Sequence, residues 1–117
     1  MQSVHEPLNP AFVDAFNALA AVVHATNISK GFYDKPVEDG TRIALMHSEL
    51  SEALEGVRKQ TWDDHIPEFT SVEAELADTI IRIMDFAKYR ELRVAQAVIA
   101  KMAYNADRPH RHGGKAF

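Results

Sequence analysis

Apolar residues return at three- and four-residue steps through most of the chain. The pattern breaks near 7–10, 31–40, 61–70 and 108–117, where Pro, Gly and charged residues collect. This predicts four helices. The first begins after Asn9, a good N-cap, with Pro10 in the first helical position, where its missing N–H leaves no bond unmade. Phe12, Phe16, Leu19, Ala20 and Val23 mark its apolar face, and it ends around Lys30–Gly31. The second runs from about Asp39 to Lys59, with Ile43, Met46, Leu50, Ala53, Leu54 and Val57 along one side. The third starts at Ser71, with acids in its first turn, and carries Leu76, Ile80, Ile83, Met84 and Ala87. The fourth covers about Arg93 to Asp107, with Val94, Val98 and Met102 in register, and Pro109 prevents its continuation. Four helices with short connections and few strand signals predict an all-α fold, a four-helix bundle-like domain.

The second and third helices each carry a further face. At ~100° per residue, Leu45, Glu49, Glu52 and Gly56 align away from the main apolar stripe. A Leu and a Gly among carboxylates imply that this face also meets another helix. On the third helix Glu75, Asp78, Arg82 and Asp85 share the side opposite Leu76, Ile80 and Met84, flanked by Ile81 and Phe86. The pairs Glu49/Glu52 and Glu75/Asp78 are spaced i,i+3, so each projects two carboxylates from one side, a turn apart. Packed antiparallel, the two helices bring four carboxylates together, and these repel unless cations bind or protons are shared. An all-oxygen set selects hard cations, Mg²⁺ first, Mn²⁺ next and Ca²⁺ after them. The same spacing also fits an ordinary solvated face.

Composition narrows the classes. A chain of 117 residues, 46% hydrophobic and 26% charged, has the size and balance of a single domain, 1–117. Thirteen Lys and Arg against seventeen Asp and Glu give −4, which argues against duplex nucleic acid as a partner. The uncharged stretches fall short of the ~20 apolar residues of a membrane span, so no membrane partner is expected. The first ten residues have no basic start or apolar run, so no secretory signal is read there, and the absence of cysteine fits a reducing cytoplasm. A domain this small gains further burial by subunit association.

The runs ALMHSELSEALEGVRK, EAELADTIIRIMDFA and KMAYNADRPHRHGGKAF, in this order, resemble the MazG-like branch of the all-α nucleoside triphosphate pyrophosphohydrolases. The likeness covers the chain from about Gly31 to its end. ExxE followed by ExxD is a loose pattern alone. With the KxxxN helix and the RPxxHGG tail it is much more specific. The resemblance implies a helical bundle working as a homodimer or dimer of dimers. It implies Mg²⁺-dependent cleavage of a (d)NTP to (d)NMP and pyrophosphate, in the manner of nucleotide-pool house-cleaning. Glu49 and Glu52 match the ExxE ligands, and Glu75 and Asp78 the ExxD ligands. Many members open the first motif with two adjacent glutamates, and here Ser48 precedes Glu49. In such a reaction bound metal lowers the pKa of the attacking water, and Glu49 or Glu52 orients that water and takes its proton.

Lys101, Asn105 and Arg108 share one face of the fourth helix, and the resemblance favours Lys101 and Asn105 for phosphate or sugar contacts. Trp62, the only tryptophan, follows the second helix with Lys59 nearby, and is either a stacking surface for a base or a filler beneath its loop. Phe32 and Tyr33 pose the same alternative. His47 points to a different side from Glu49, and neither acidic pair has the ExxH spacing of di-iron bundles, which counts against oxygen-activating chemistry. The segment 108–117 has no hydrophobic period and reads as a flexible tail, with Arg111, His112 and Lys115 closing over phosphates as the alternative. The rival reading of the whole is a non-catalytic oligomeric module, antitoxin-like, whose acidic stripes contact a basic partner.

Overall fold

The computed structural model describes residues 9–108, so the tail motif beyond Arg108, with Arg111, His112 and Lys115, lies outside the described residues. These residues form an all-helical fold: α1 (Pro10–Ser29), α2 (Asp39–Lys59), α3 (Ser71–Arg90) and α4 (Val94–Ala106). The ends follow local chemistry. Asn9 Oδ1 accepts from the Phe12 N–H at 3.0 Å, with Pro10 opening the helix. Gly31 follows α1 at φ +86°, in the left-handed region that a side chain resists. α3 begins at Ser71 as its spacing predicts, but the cap is Thr70. Thr70 and Glu73 form a reciprocal capping box in which each side chain accepts from the other's backbone N–H. A single antiparallel bridge between Trp62 and Thr70 closes the loop between α2 and α3. Within that loop Asp63 accepts from the backbone N–H of His65 and Ile66, both at 2.9 Å.

α3 is the middle helix, with α2 along one side and α1 along another, and α4 folds back on α1. Val13 of α1 and Ala95 and Ile99 of α4 form a small core, with Phe12 and Phe16 packed against it. The fourth helix therefore turns inward one residue away from the stripe its valines predict: Ala95 and Ile99 are buried, Val94 and Val98 are half-buried, and Met102 is 62% exposed. Small Ala95 allows the closer approach to α1.

α2 meets α3 through its acidic face. Gly56 is buried there, and a Cβ on it would stand 3.1 Å from Ser71 Cβ and 3.2 Å from the Val72 nitrogen. The expected meeting of this face with another helix is thus within the chain. The main apolar stripes fare differently. Of their members, Ala53, Met84 and Ala87 are buried, while Ile43, Leu50, Leu54, Val57, Leu76 and Ile80 are all exposed. The reason lies in the packing: α4 lies on α1, so no helix of the described chain covers the outer side of the α2–α3 pair.

α1 bears on the expectation about membrane spans without deciding it. Its twenty residues are long and apolar enough, by length and composition, to cross a membrane. Six alanines raise its average despite Asp14, which cuts the uncharged run short. Its His24 bonds to Asp85 of α3.

Candidate metal centre and adjoining cavity

The antiparallel approach of α2 and α3 brings carboxylate oxygens of Glu49, Glu75 and Asp78 within 4.8 Å of one another. Glu49 and Glu75 are half-buried and Asp78 is exposed. Such crowding is uphill for full ionisation. The Glu75 carboxyl is pushed up to about 7, chiefly by a hydrogen bond shared with Glu49, then by burial and by the charges of Glu49, Asp78 and Glu52. Glu75 thus keeps its proton toward neutral pH, where its carboxyl can donate to Glu49. Burial, followed by the charge of Glu49, also raises Asp78, against the opposing pull of Arg82. Arg82, one turn beyond Asp78, donates from Nε to Glu49 Oε1 at 3.1 Å, and its Nη2 lies 3.0 Å from the same oxygen as an ion pair. Oxygen-only donors from two helices, close enough to share a proton, fit a hard divalent cation.

Glu52 stands outside this trio, exposed at the rim, although its charge reaches Glu75. It lines a hollow of about 720 Å³ together with Glu75, Lys59 and Trp62. Two of the candidate substrate contacts therefore lie together beside the acids, with Lys59 Nζ paired to Glu55 at 3.3 Å. Ser48 does not join the acidic set: its hydroxyl donates back to the Leu45 carbonyl at 2.7 Å. Lys101 and Asn105 sit on α4, whose packing partner is α1, and neither lines a hollow with the acids in the described chain. The Lys101 ammonium instead lies 5.0 Å from the Tyr104 ring centre.

On the other side of the trio, Glu49, Asp78 and Arg82 line a cavity of about 500 Å³ that also touches Phe32, Arg42 and Asp85. Asp85 is buried, with Oδ1 2.8 Å from His24 Nδ1 and Oδ2 accepting from the Tyr33 hydroxyl at 2.7 Å. Burial, and then the hydrogen bond to Asp85, drive the Tyr33 phenol well above its ordinary range. The Arg42 guanidinium lies over two rings, 4.2 Å from the centre of Tyr33 and 4.7 Å from that of Tyr89. Sequence reasoning named Asp85 and Tyr33 but passed over Arg42 and His24. A signal for Arg42 existed, since it precedes Glu49 by seven residues and so shares its helix face.

The proton kept on Glu75 has a measurable consequence. Glu75 titrates at 4.5 when unperturbed and at about 7 in the fold, so the unfolded chain ionises first. Stability present below about pH 4.5 is therefore lost as pH rises through about 7, and the raised Asp78 acts in the same direction. In EDTA, thermal melts are expected to fall from about pH 5 to about pH 8. Mg²⁺ should flatten this fall, and Glu75→Gln should remove most of it. A metal-free melting temperature that is level or rising across this window would count against the proton on Glu75.

Comparisons of the chain with protein-family models, with curated proteins and with solved structures return no match.

Proposed function

We propose that the protein is a Mg²⁺-dependent nucleoside triphosphate pyrophosphohydrolase of the MazG-like kind, converting a (d)NTP and water to (d)NMP and pyrophosphate. The observation that carries this reading is the meeting of Glu49 with Glu75 and Asp78. Two i,i+3 pairs singled out along the sequence supply one carboxylate trio from facing helices. Glu49, Glu75 and Asp78 would hold Mg²⁺, with Mn²⁺ as a substitute. When bound, the ion offsets the triphosphate's negative charge and lowers the pKa of a water beside the α-phosphorus.

The chain's own groups divide the remaining work. Glu49 is engaged by both Arg82 and Glu75, whereas Glu52 is exposed beside them, which favours Glu52 as the group that orients the water and accepts its proton. Arg82 and Lys59 offer cationic donors on the two sides of the acids, suited to the α-phosphate and the departing pyrophosphate. Trp62, exposed in the same hollow as Lys59, shields that end from water.

The bare apolar stripes of α2 and α3 support a bundle completed between copies, a homodimer or a dimer of dimers. In such an assembly the α4 face bearing Lys101 and Asn105 would reach the acids of another copy. Cytoplasmic house-cleaning of the nucleotide pool is the setting this chemistry suits.

The test is a panel of ordinary and modified NTPs and dNTPs with Mg²⁺, Mn²⁺ or EDTA, scoring NMP and pyrophosphate separately from phosphate. Metal-dependent NMP with equimolar pyrophosphate is expected. Silence across the panel from a folded oligomer would move the assignment to the non-catalytic module.

A further inference from the structure

We infer that the cavity running from Glu49 and Asp78 to Arg42 receives the nucleoside part of the substrate, and that Arg42 selects bases presenting a carbonyl oxygen. The inference deepens the pyrophosphohydrolase reading and rests on it. The cavity's volume of about 500 Å³ falls within the ~300–1,000 Å³ of sites that enclose small ligands. Its length follows from helix geometry. Arg42 precedes Glu49 by seven residues on α2, and Asp85 follows Asp78 by seven on α3. Each interval is two turns, about 10.5 Å of rise. A phosphate at the acidic end thus places the far edge of its base beside Arg42, since this distance is roughly the span of a nucleoside monophosphate.

The chemistry of that far end favours one class of base. The Arg42 guanidinium is held against the faces of Tyr33 and Tyr89, and no carboxylate among the described residues pairs with it. Arginine only donates, so the ligand edge it meets must accept. Asp85 would otherwise draw an amino group, but it is buried and turned to His24 and Tyr33, which bond its two oxygens. Carbonyl-bearing bases such as uracil, thymine and hypoxanthine are accordingly preferred over adenine, whose N1 and N7 acceptors are each flanked by an amino group that donates toward the guanidinium instead of accepting from it. Phe32, 62% exposed on the cavity wall, offers a ring face for stacking on the base.

The experiment titrates dUMP, dIMP and dAMP into wild type, Arg42→Met and Phe32→Ala by calorimetry, alongside kcat/KM for dUTP, dITP and dATP. Wild type is expected to favour the two carbonyl-bearing nucleotides. Arg42→Met keeps the aliphatic stem over the rings. It is expected to weaken dUMP and dIMP by about tenfold or more, the scale of a lost charged hydrogen bond, and to leave dAMP nearly unchanged. Phe32→Ala should weaken all three. If Arg42→Met unfolds, Arg42→Lys, which keeps the charge and loses the planar fork, carries the same expectation. Equal wild-type affinity for dAMP and dUMP, or an even loss across all three, would overturn the assignment. Turnover with no base preference removes this inference and leaves the hydrolase reading intact. Arg42-dependent binding of dUMP without turnover of any triphosphate does the reverse.

Discussion

Asp78→Asn and Glu75→Gln are each expected to reduce metal-dependent pyrophosphate release by about 10²–10³-fold while making the metal-free protein more resistant to heat. Both effects come from one arrangement. Three carboxylates within 4.8 Å lose their common cation-binding field when one becomes an amide. The same change removes a charge that repels Glu49, one of the causes, after the hydrogen bond to Glu49 and burial, that hold Glu75 at about 7. A purely structural pair of acids would lose stability on neutralisation, so the two readouts together separate a site from a scaffold. For Glu75→Gln the rise in melting temperature should be largest above about pH 7, where Glu75 is otherwise ionised, and should vanish near pH 5. Pyrophosphate assays with melts in EDTA provide the check. Unchanged turnover in both variants would remove the trio from the catalytic assignment.

The second large effect concerns the outer side of the α2–α3 pair. Leu54 is 55% exposed and Ile80 51% exposed in the single chain. In a monomer, Leu54→Asp or Ile80→Asp would shift stability by only about 0.5 kcal/mol, as surface changes commonly do. If these stripes meet a second copy, a carboxylate enters a dry apolar seam and costs on the order of 2 kcal/mol or more of association. The expected result is a smaller particle by sedimentation and a loss of turnover that high protein concentration restores. Wild type sedimenting as a fully active monomer would exclude the shared assembly.

Much of the secondary structure was legible because its start and stop signals are local. Asn9–Pro10, Lys59 at the end of α2 and Ser71 at the start of α3 all sit where capping chemistry and hydrophobic period place them. The acidic cluster was legible in part: i,i+3 spacing fixes direction on a helix, and three of the four expected carboxylates meet while Glu52 stays outside. The faces were harder. A helix with an apolar stripe and a mixed Leu–Glu–Gly stripe has two surfaces able to pack, and one sequence does not say which meets its own chain. The apolar one suggests the core, but Gly56 allowed α3 to approach the other. The Arg42–Tyr33–Tyr89 stack was illegible for a related reason. It depends on α2, α3 and the loop between α1 and α2 arriving at one place, and no residue spacing encodes that meeting.

Arg82 on Glu49 has a consequence for the order in which ligands arrive. The acids already hold a counter-charge from their own chain, at 3.0 Å, so a lone divalent ion must compete with this guanidinium for Glu49. On the proposed reading, a triphosphate would change that contest by giving Arg82 an alternative partner and leaving Glu49 to the ion. Nucleotide and ion thereby make room for each other, and by reciprocity each raises the affinity of the other by the same factor. On the pyrophosphohydrolase reading, the resting protein would therefore hold a free ion more loosely than the ion that arrives with its nucleotide.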